Sequence, residues 1–435
     1  MIEPTKQPLN FCMITTFYPP YHFGGEAMYL YRLSNALAER GHRVTVVHCV
    51  DAYNFLTKAG SRGDFPHHPN VTVKALRNRF GPLSPLLTYL SGRPGLKSRA
   101  LDQIFAAERF DVVHFHMITL FGPAVLRYGE GSLRLYTTHD HWFVCPMYDL
   151  WKQNREICEQ TACLRCTASY GRPPQLWRYT NLLQRELPRI DLFIAPSRST
   201  ITQHQRRGFP YPMRHLPHFL PQAETTAPAL PAFSPGGRSY FLFVGRLVKL
   251  KGVQILLDAF KRYPDADLLI AGDGVYEPEL RVFAEGMPHV YFLGRQRPDE
   301  LRSLYRGAIA LLVPSIVYET FGFITLESLG QRTPVIAREL GAISELVRDT
   351  GGGITYQSEA DLIRAMRSLQ TDSVLRDQLG NAGYEASITR YSEDAHVREY
   401  LDAVAATAAA RASLEPRNQA VEDSHLPKGT VPRRR

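Results

Sequence analysis

The chain has 435 residues (49.3 kDa), 44% apolar and 21% charged, which is ordinary for a globular enzyme and large enough for two or three domains. Cores of that size need no disulfide staples, and no apolar run approaches the roughly 18 residues that a membrane-spanning helix requires. The formal net charge is +9, yet no aromatic-interleaved basic motif or zinc-finger spacing accompanies it, which argues against nucleic acid as a partner.

The start, Met-Ile-Glu-Pro-Thr-Lys, lacks the basic and apolar regions of a secretory signal, so the expected location is cytoplasmic. Short apolar runs then alternate with helical periodicity, the pattern of parallel sheets with crossover helices. In the first half it predicts strands over 10–16, 43–50, 71–76, 111–116, 133–138, 191–195 and 213–219. The aperiodic stretch TTAPALPAFSPGG, from Thr225 to Gly237, reads as an interdomain linker, placed at 223–238. The alternation then restarts, with strands over 240–244, 267–271, 290–293, 308–313 and 333–337. Helices are expected over 253–262, 277–285, 298–305 and 323–330. The expected organisation is an α/β chain of two Rossmann-like domains, 1–222 and 239–391, followed by an alanine-rich helix over 392–413 and a disordered tail over 414–435.

The stretch PSIVYETFGFITLESLGQRTPVIA (314–337) carries the densest chemistry. A strand leads into a loop holding Glu319, and a helix begins near Phe323 with Glu327 one turn in. Amide groups at such a helix start form a seat for an anion such as a diphosphate. Gly322 lets the backbone approach it, and carboxylates accept hydrogen bonds from sugar or ribose hydroxyls. The order Pro-Ser, Glu-Thr-Phe-Gly, Glu, Pro-Val-Ile-Ala resembles the donor-binding motif of the family 4 glycosyltransferases, retaining enzymes of the two-domain GT-B architecture.

The resemblance implies that Glu319 contacts the transferred sugar and Glu327 the nucleotide ribose, with Phe321, Gly322 and Phe323 beside the diphosphate. It also assigns Arg246 and Lys251, in FVGRLVKLKG after the strand at 240–244, to the donor diphosphate. A forked guanidinium and an ammonium balance that charge without a metal. Gly245 belongs to the same loop, and Gly272 with Asp273, in Ala271-Gly272-Asp273-Gly274, resembles the loop near the base. In the first half, Gly24 and Gly25 of YPPYHFGGE match a glycine pair beside donor phosphates and acceptor. His139, in TTHDH at a strand end, matches a cleft histidine of the family, its implied task hydrogen bonding to the donor sugar or main-chain positioning and not proton abstraction, with Asp140 as a group to orient it and His141 as rival.

Cys145, Cys158, Cys163 and Cys166 cluster in an aromatic-rich insertion at about 142–170, the last pair separated by two residues. Zinc ligation, free thiols and disulfides are the open readings, in that order. Some family members with a similar His-Asp-x-Trp-x-x-Cys-Pro start carry a similar cysteine set. Lys58, Arg62, Lys74, Arg77, Arg79, Arg93, Lys97 and Arg99 face only Asp64 in one stretch. They make either a solvated basic face or an attraction for phosphates or an anionic membrane. FGPLSPLLTYL (80–90) lies among them and suggests peripheral docking at the inner face of the cell membrane.

The expectation is therefore a retaining, metal-independent hexosyltransferase, using a nucleotide-diphosphate sugar and a glycan or lipid-linked acceptor, with zinc as a purely structural addition. Catalytic roles fall on His139, Glu319, Arg246 and Lys251. An epimerase or phosphorylase on the same fold, or a non-catalytic glycan- or lipid-binding module, are the alternatives.

Overall fold

A computed structural model describes residues 7–57, 63–221 and 235–423, with side chains as far as Ser413. Lys58, Arg62, most of the linker and residues 424–435 lie outside the described residues. The first sheet is built from β1 (Asn10–Ile14), β2 (Arg43–Cys49), β3 (Val71–Leu76), β4 (Val112–Phe115) and β5 (Leu133–Thr137). A small antiparallel pair, β6 (Trp151–Lys152) and β7 (Glu156–Ile157), stands apart, and β8 (Leu192–Ala195) and β9 (Met213–His215) complete the sheet. Its order is β3-β2-β1-β4-β5-β8-β9, parallel throughout. The second sheet holds β10 (Tyr240–Val244), β11 (Asp267–Ala271), β12 (Val290–Gly294), β13 (Leu311–Val313), β14 (Val335–Arg338) and β15 (Gly353–Tyr356). Its order, β12-β11-β10-β13-β14-β15, is also parallel.

Strands such as NFCMI and YFLFV are buried along their whole length. Crossover helices cover both faces of a parallel sheet, so a continuous apolar run is what each central strand requires. The edge strand β3 alternates in exposure instead. In each sheet the strand order reverses once, between β1 and β4 and between β10 and β13. The crevice beyond the carboxyl ends at such a switch point is where open α/β sheets bind ligands. This is the GT-B arrangement expected from the sequence, with two Rossmann-like domains facing each other across a cleft.

The domains touch through specific contacts. The Glu345 carboxylate accepts from the amides of Arg198 (2.9 Å) and Ser199 (2.8 Å), so it caps the first turn of the helix Arg198–Arg206 from the opposite domain. Arg198 also pairs with Asp349. The last helix returns to the first domain, where Tyr400 Oη meets His114 Nδ1 (2.9 Å) and Arg411 donates to the Ser132 carbonyl (2.6 Å).

Several boundaries differ from the sequence reading. The last helix is Glu393–Asp423, not 392–413, so the segment from 414 is helical for ten more residues. The alanine-rich run from Ala403 to Ala412 is a strong helix former, and the helix continues beyond it through Pro416, the residue that signals a stop. The strand expected over 213–219 ends at His215, because the chain then leaves the sheet to place His218 and Phe219 at the domain junction. The short edge strand β15 and the helices Glu359–Thr371 and Ser373–Thr389 were not expected, since Gly351-Gly352-Gly353 interrupts the apolar pattern.

Candidate active site

The loop after β13 and the turn after β10 meet at the second switch point. Ile316 N donates to the Leu250 carbonyl (3.0 Å), and a Cβ on Gly252 would lie 2.2 Å from the Pro314 oxygen. Only glycine permits that approach, which seats Lys251 against the acidic loop. Lys251 Nζ then bonds Glu319 Oε1 at 2.6 Å, and Ser315 Oγ donates to the same oxygen at 3.0 Å. Burial pushes the Glu319 carboxyl up, but the Lys251 charge, these hydrogen bonds and nearby Arg246 outweigh it and hold it below its ordinary value.

Arg246 follows Gly245 and is exposed at the cleft. Its loop is braced by Ala271-Gly272-Asp273-Gly274: Leu247 N donates to the Asp273 carbonyl (2.8 Å), and a Cβ on Gly272 would lie 1.9 Å from the Gly245 oxygen. Gly272 is thus required for backbone contact, while the Asp273 side chain points to solvent. Glu327 accepts from Tyr305 Oη at 3.0 Å, and burial together with this carboxylate raises the Tyr305 phenol far above its usual range. Tyr305 was not foreseen as a support of Glu327, since only the fold brings two consecutive crossover helices together.

Across the cleft, the glycine pair splits in its reasons. Gly24 has extended backbone and open space around it, whereas a Cβ on Gly25 would lie 2.5 Å from Phe323 Cδ2 of the other domain. Phe323 stacks flat on His218 (5.3 Å, 5°), and Phe321 meets the same ring edge-on at 5.0 Å. The His139 carbonyl accepts from Thr320 Oγ1 at 2.8 Å, so the donor loop is tied directly to the predicted cleft histidine. His141, its rival, is buried and meets the Tyr318 carbonyl at 3.3 Å, a bridging role.

Asp140 does not orient His139. Its Oδ1 accepts from the amide of Trp142 (2.9 Å) in a local turn, and the partner of His139 Nε2 is His116 Nδ1 at 2.9 Å. The signal for His116 was present as a second histidine just past the neighbouring strand. Glu26, at the start of the first helix, was also missed. Its carboxyl is pushed up to about 8 by burial and by Asp140, against the opposing pull of Arg246.

The four insertion cysteines line one small cavity beside Trp151 and Arg207, all as free thiols. Cys166 Sγ accepts from the amide of Gln153 at 3.3 Å. Among the described residues, however, no three His, Cys, Asp or Glu side chains stand in a metal-holding arrangement. Lys97 leaves the basic surface set, because it is buried and its ammonium bonds Thr88 Oγ1 at 2.7 Å.

The fold and this cleft define a two-domain GT-B protein with a basic and carboxylate-bearing site at paired switch points. Residues 23–221 match the Glycosyltransferase Family 4 domain and residues 231–386 the Glycosyl transferases group 1 domain. The chain belongs to the family 4 glycosyltransferases. It is 34% identical to the phosphatidyl-myo-inositol mannosyltransferase of Mycobacterium leprae over 38% of this chain and 46% of that protein. The chain spans about half the length of the curated relatives it matches. Among solved structures, sucrose-phosphate synthase from Thermosynechococcus elongatus aligns over 92% of this chain and all of its own, with a TM-score of 0.72 and 19% identity. The Anabaena protein HepE, in complex with UDP and glucose, aligns over the same shares with a TM-score of 0.64 and 16% identity.

Behind His139 stand His114, His116, His218 and His396, all held neutral mainly by burial; His139 is lowered to about 3 and His396 to about 4. The unfolded chain takes up protons at histidine below about pH 6.5, and the folded chain does so only near these lowered values. The stability from this cluster is therefore complete above pH 6.5 and is lost as pH falls toward 4. Glu26, whose folded carboxyl binds a proton up to about pH 8, pulls the other way by one group, and the five histidines outweigh it, so thermal melts should drop steadily between pH 6.5 and 4. A melting temperature independent of pH over that window would contradict the assignment.

Proposed function

We propose that the chain transfers a sugar from a nucleotide-diphosphate donor to an acceptor hydroxyl, with retention of anomeric configuration. The observation that carries this reading is the joined set at the second switch point: Lys251 on Glu319, with Arg246 beside them and Glu327 held by Tyr305. Negative charge grows on the leaving diphosphate as the sugar acquires oxocarbenium character. Arg246, Lys251 and the helix start at Phe323 would stabilise that charge more than the ground state, with no divalent ion required. Glu319 and Glu327 would accept hydrogen bonds from the sugar and ribose hydroxyls. No group is proposed as a nucleophile, and a donor diphosphate oxygen would take the acceptor proton on the same face. Closure of the cleft would exclude water and limit donor hydrolysis. The likeness to HepE, which was solved with UDP and glucose, supports a nucleoside-diphosphate site.

The acceptor side favours a lipid-linked substrate. Phe80, Leu83, Leu87 and Leu90 are exposed along one side of the helix Leu83–Ser91 and its lead-in, with Leu176 and Tyr179 exposed on an adjoining turn. Arg77, Arg79 and Arg93 flank them, and the Arg79 guanidinium covers the Phe80 ring at 4.7 Å. An apolar face rimmed by cations fits peripheral docking on anionic lipid. The name of the M. leprae relative, a phosphatidyl-myo-inositol mannosyltransferase, points the same way.

The cysteine cavity is proposed as a structural zinc site, since four thiols line it and an amide already faces Cys166 Sγ. Ligation would require all four sulfurs to converge to about 2.3 Å from one ion, an arrangement not formed among the described residues.

For the donor site, Glu327→Ala and Arg246→Ala should each weaken nucleotide-sugar binding by roughly 10- to 150-fold in titration calorimetry, with the fold intact. Unchanged affinity in both removes the assignment. The protein should co-sediment with anionic but not neutral vesicles, and Leu83→Ser with Leu87→Ser should abolish this. Equal binding to both vesicle types excludes the docking face. Elemental analysis should find about one zinc per chain, lost in Cys163→Ser with Cys166→Ser; fully active metal-free protein would refute it.

A further inference from the structure

A row of rings and guanidiniums crosses the carboxyl ends of β3, β2 and β1, the strands that lead from the edge of the first sheet to its switch point. Arg77 and Arg79 follow β3, Tyr53 sits in the helix Val50–Leu56 that follows β2, and Tyr21 and Phe23 lie in the loop that follows β1. Phe23 stacks on Tyr53 (4.9 Å, 26°), and Tyr53 meets Tyr21 edge-on at 5.7 Å. The Arg77 guanidinium covers the Tyr21 ring at 5.5 Å and donates to its Oη at 2.6 Å. One end of the row is Phe23, two residues before the Gly25 that abuts Phe323. The other is Arg79 on the ring of Phe80, where the exposed face of the helix Leu83–Ser91 begins.

The backbone fixes these side chains. Tyr18 and Tyr21 exchange main-chain hydrogen bonds (3.2 and 2.8 Å), and the amide of Asn78, between the two arginines, donates to Asp51 at 2.7 Å. Tyr53 is buried beneath, yet Phe23 stays 37% exposed at the lip of the cleft, and both arginines are exposed. Aromatic rings attract the guanidiniums without neutralising them. Asp51, which faces Arg77, is shared with the buried Lys97.

From the outer surface inward, the order is an apolar helix face, two guanidiniums, an aromatic platform and the donor cleft. A saccharide joined to a lipid through phosphate has the same order: hydrocarbon, phosphoryl group, sugar ring, free hydroxyl. We infer that this row is the acceptor site and takes a phosphate-linked lipid saccharide, with its phosphoryl group on Arg77 and Tyr21 and its sugar ring on Phe23. The inference rests on the transferase reading and names the acceptor class that the reading left open. A guanidinium binds phosphate oxygens through parallel N–H groups. Tyr21 Oη accepts from Arg77, which leaves its own hydrogen to donate to the same phosphate. The electron-rich face of Phe23 suits the C–H face of a sugar ring. A lipid glycoside without phosphate would leave both arginines with no counter-charge at the joint between lipid and sugar.

Three monomeric probes test the row by titration calorimetry on the full-length chain: octyl glucosyl phosphate, octyl phosphate and octyl glucoside. The first should bind at least about 10-fold more tightly than either of the others, since it alone spans platform and guanidinium. Arg77→Gln should weaken it roughly 10-fold or more and leave octyl glucoside unchanged. Phe23→Ala should weaken it about 3-fold or more and leave octyl phosphate unchanged. Arg246→Ala, in the donor site, should leave all three as they are. Equal binding of the three probes, no effect of either row variant, or loss of binding in Arg246→Ala overturns the inference. Phe23→Ala should still co-sediment with anionic vesicles; losing that as well would make the row part of the general membrane face and overturn it too. A native chain that binds the first probe in this way but no nucleotide sugar would sustain the site and refute the transferase reading.

Discussion

The cleft depends on one contact between domains, in which Phe323 lies flat on His218 and against Gly25 while Thr320 bonds the His139 backbone. Phe323 opens the helix that carries Glu327, and Gly25 opens the helix that carries Glu26. The two helix starts therefore define the width of the site. A side chain at Gly25 would push Phe323 away and move the carboxylates and the histidine out of register. Glu345 reinforces this geometry from the rear by capping a helix of the opposite domain. A carboxylate at a helix start is favoured by both the unpaired amides and the helix dipole.

Within the second domain, the arrangement balances the cost of burying charge. A carboxylate removed from water is expensive unless it is paired and fully hydrogen-bonded. Glu319 has both an ammonium and a hydroxyl on one oxygen, with a guanidinium nearby. The same cations that stabilise Glu319 are those a diphosphate would share, so binding would exchange one anionic partner for two. Glu26 shows the other outcome of burial. Its neighbour Asp140 is also acidic, and Arg246 does not fully offset them, so the carboxyl retains its proton to unusually high pH.

The first domain differs in character. Its core around the cleft is a neutral stack of imidazole and phenol rings reaching from His114 to Phe323, tied together by hydrogen bonds at its edges. Such a stack has defined geometry but little charge. On the outer surface of the same domain, apolar side chains of the helix Leu83–Ser91 stay exposed among arginines, and the inward Lys97 instead braces that helix from beneath. One helix thus has a polar anchor on its inner side and a sticky outer side.

Most strands and the donor loop were legible in the sequence because their signals are local. A buried parallel strand needs a continuous apolar run, and Glu-Thr-Phe-Gly followed by Glu one turn later places an anion seat with its carboxylates in a single segment. Gly252 and Gly272 were legible as turn residues but not as close-contact points, since the atoms they avoid belong to Pro314 and Gly245. The partner of His139, the support of Glu327 and the environment of Glu26 lay beyond reach for the same reason. His116, Tyr305 and Arg246 are separated from those residues along the chain and meet them only through sheet order and domain closure. The cysteines illustrate the boundary: their spacing brings them to one cavity, but the distances between sulfurs depend on how the insertion packs on Trp151 and Arg207. Residue type and spacing determined which chemistry the chain carries; packing across strands and between domains decided which atoms face one another, because hydrogen bonds and charge coupling act over a few ångströms of space and not over sequence.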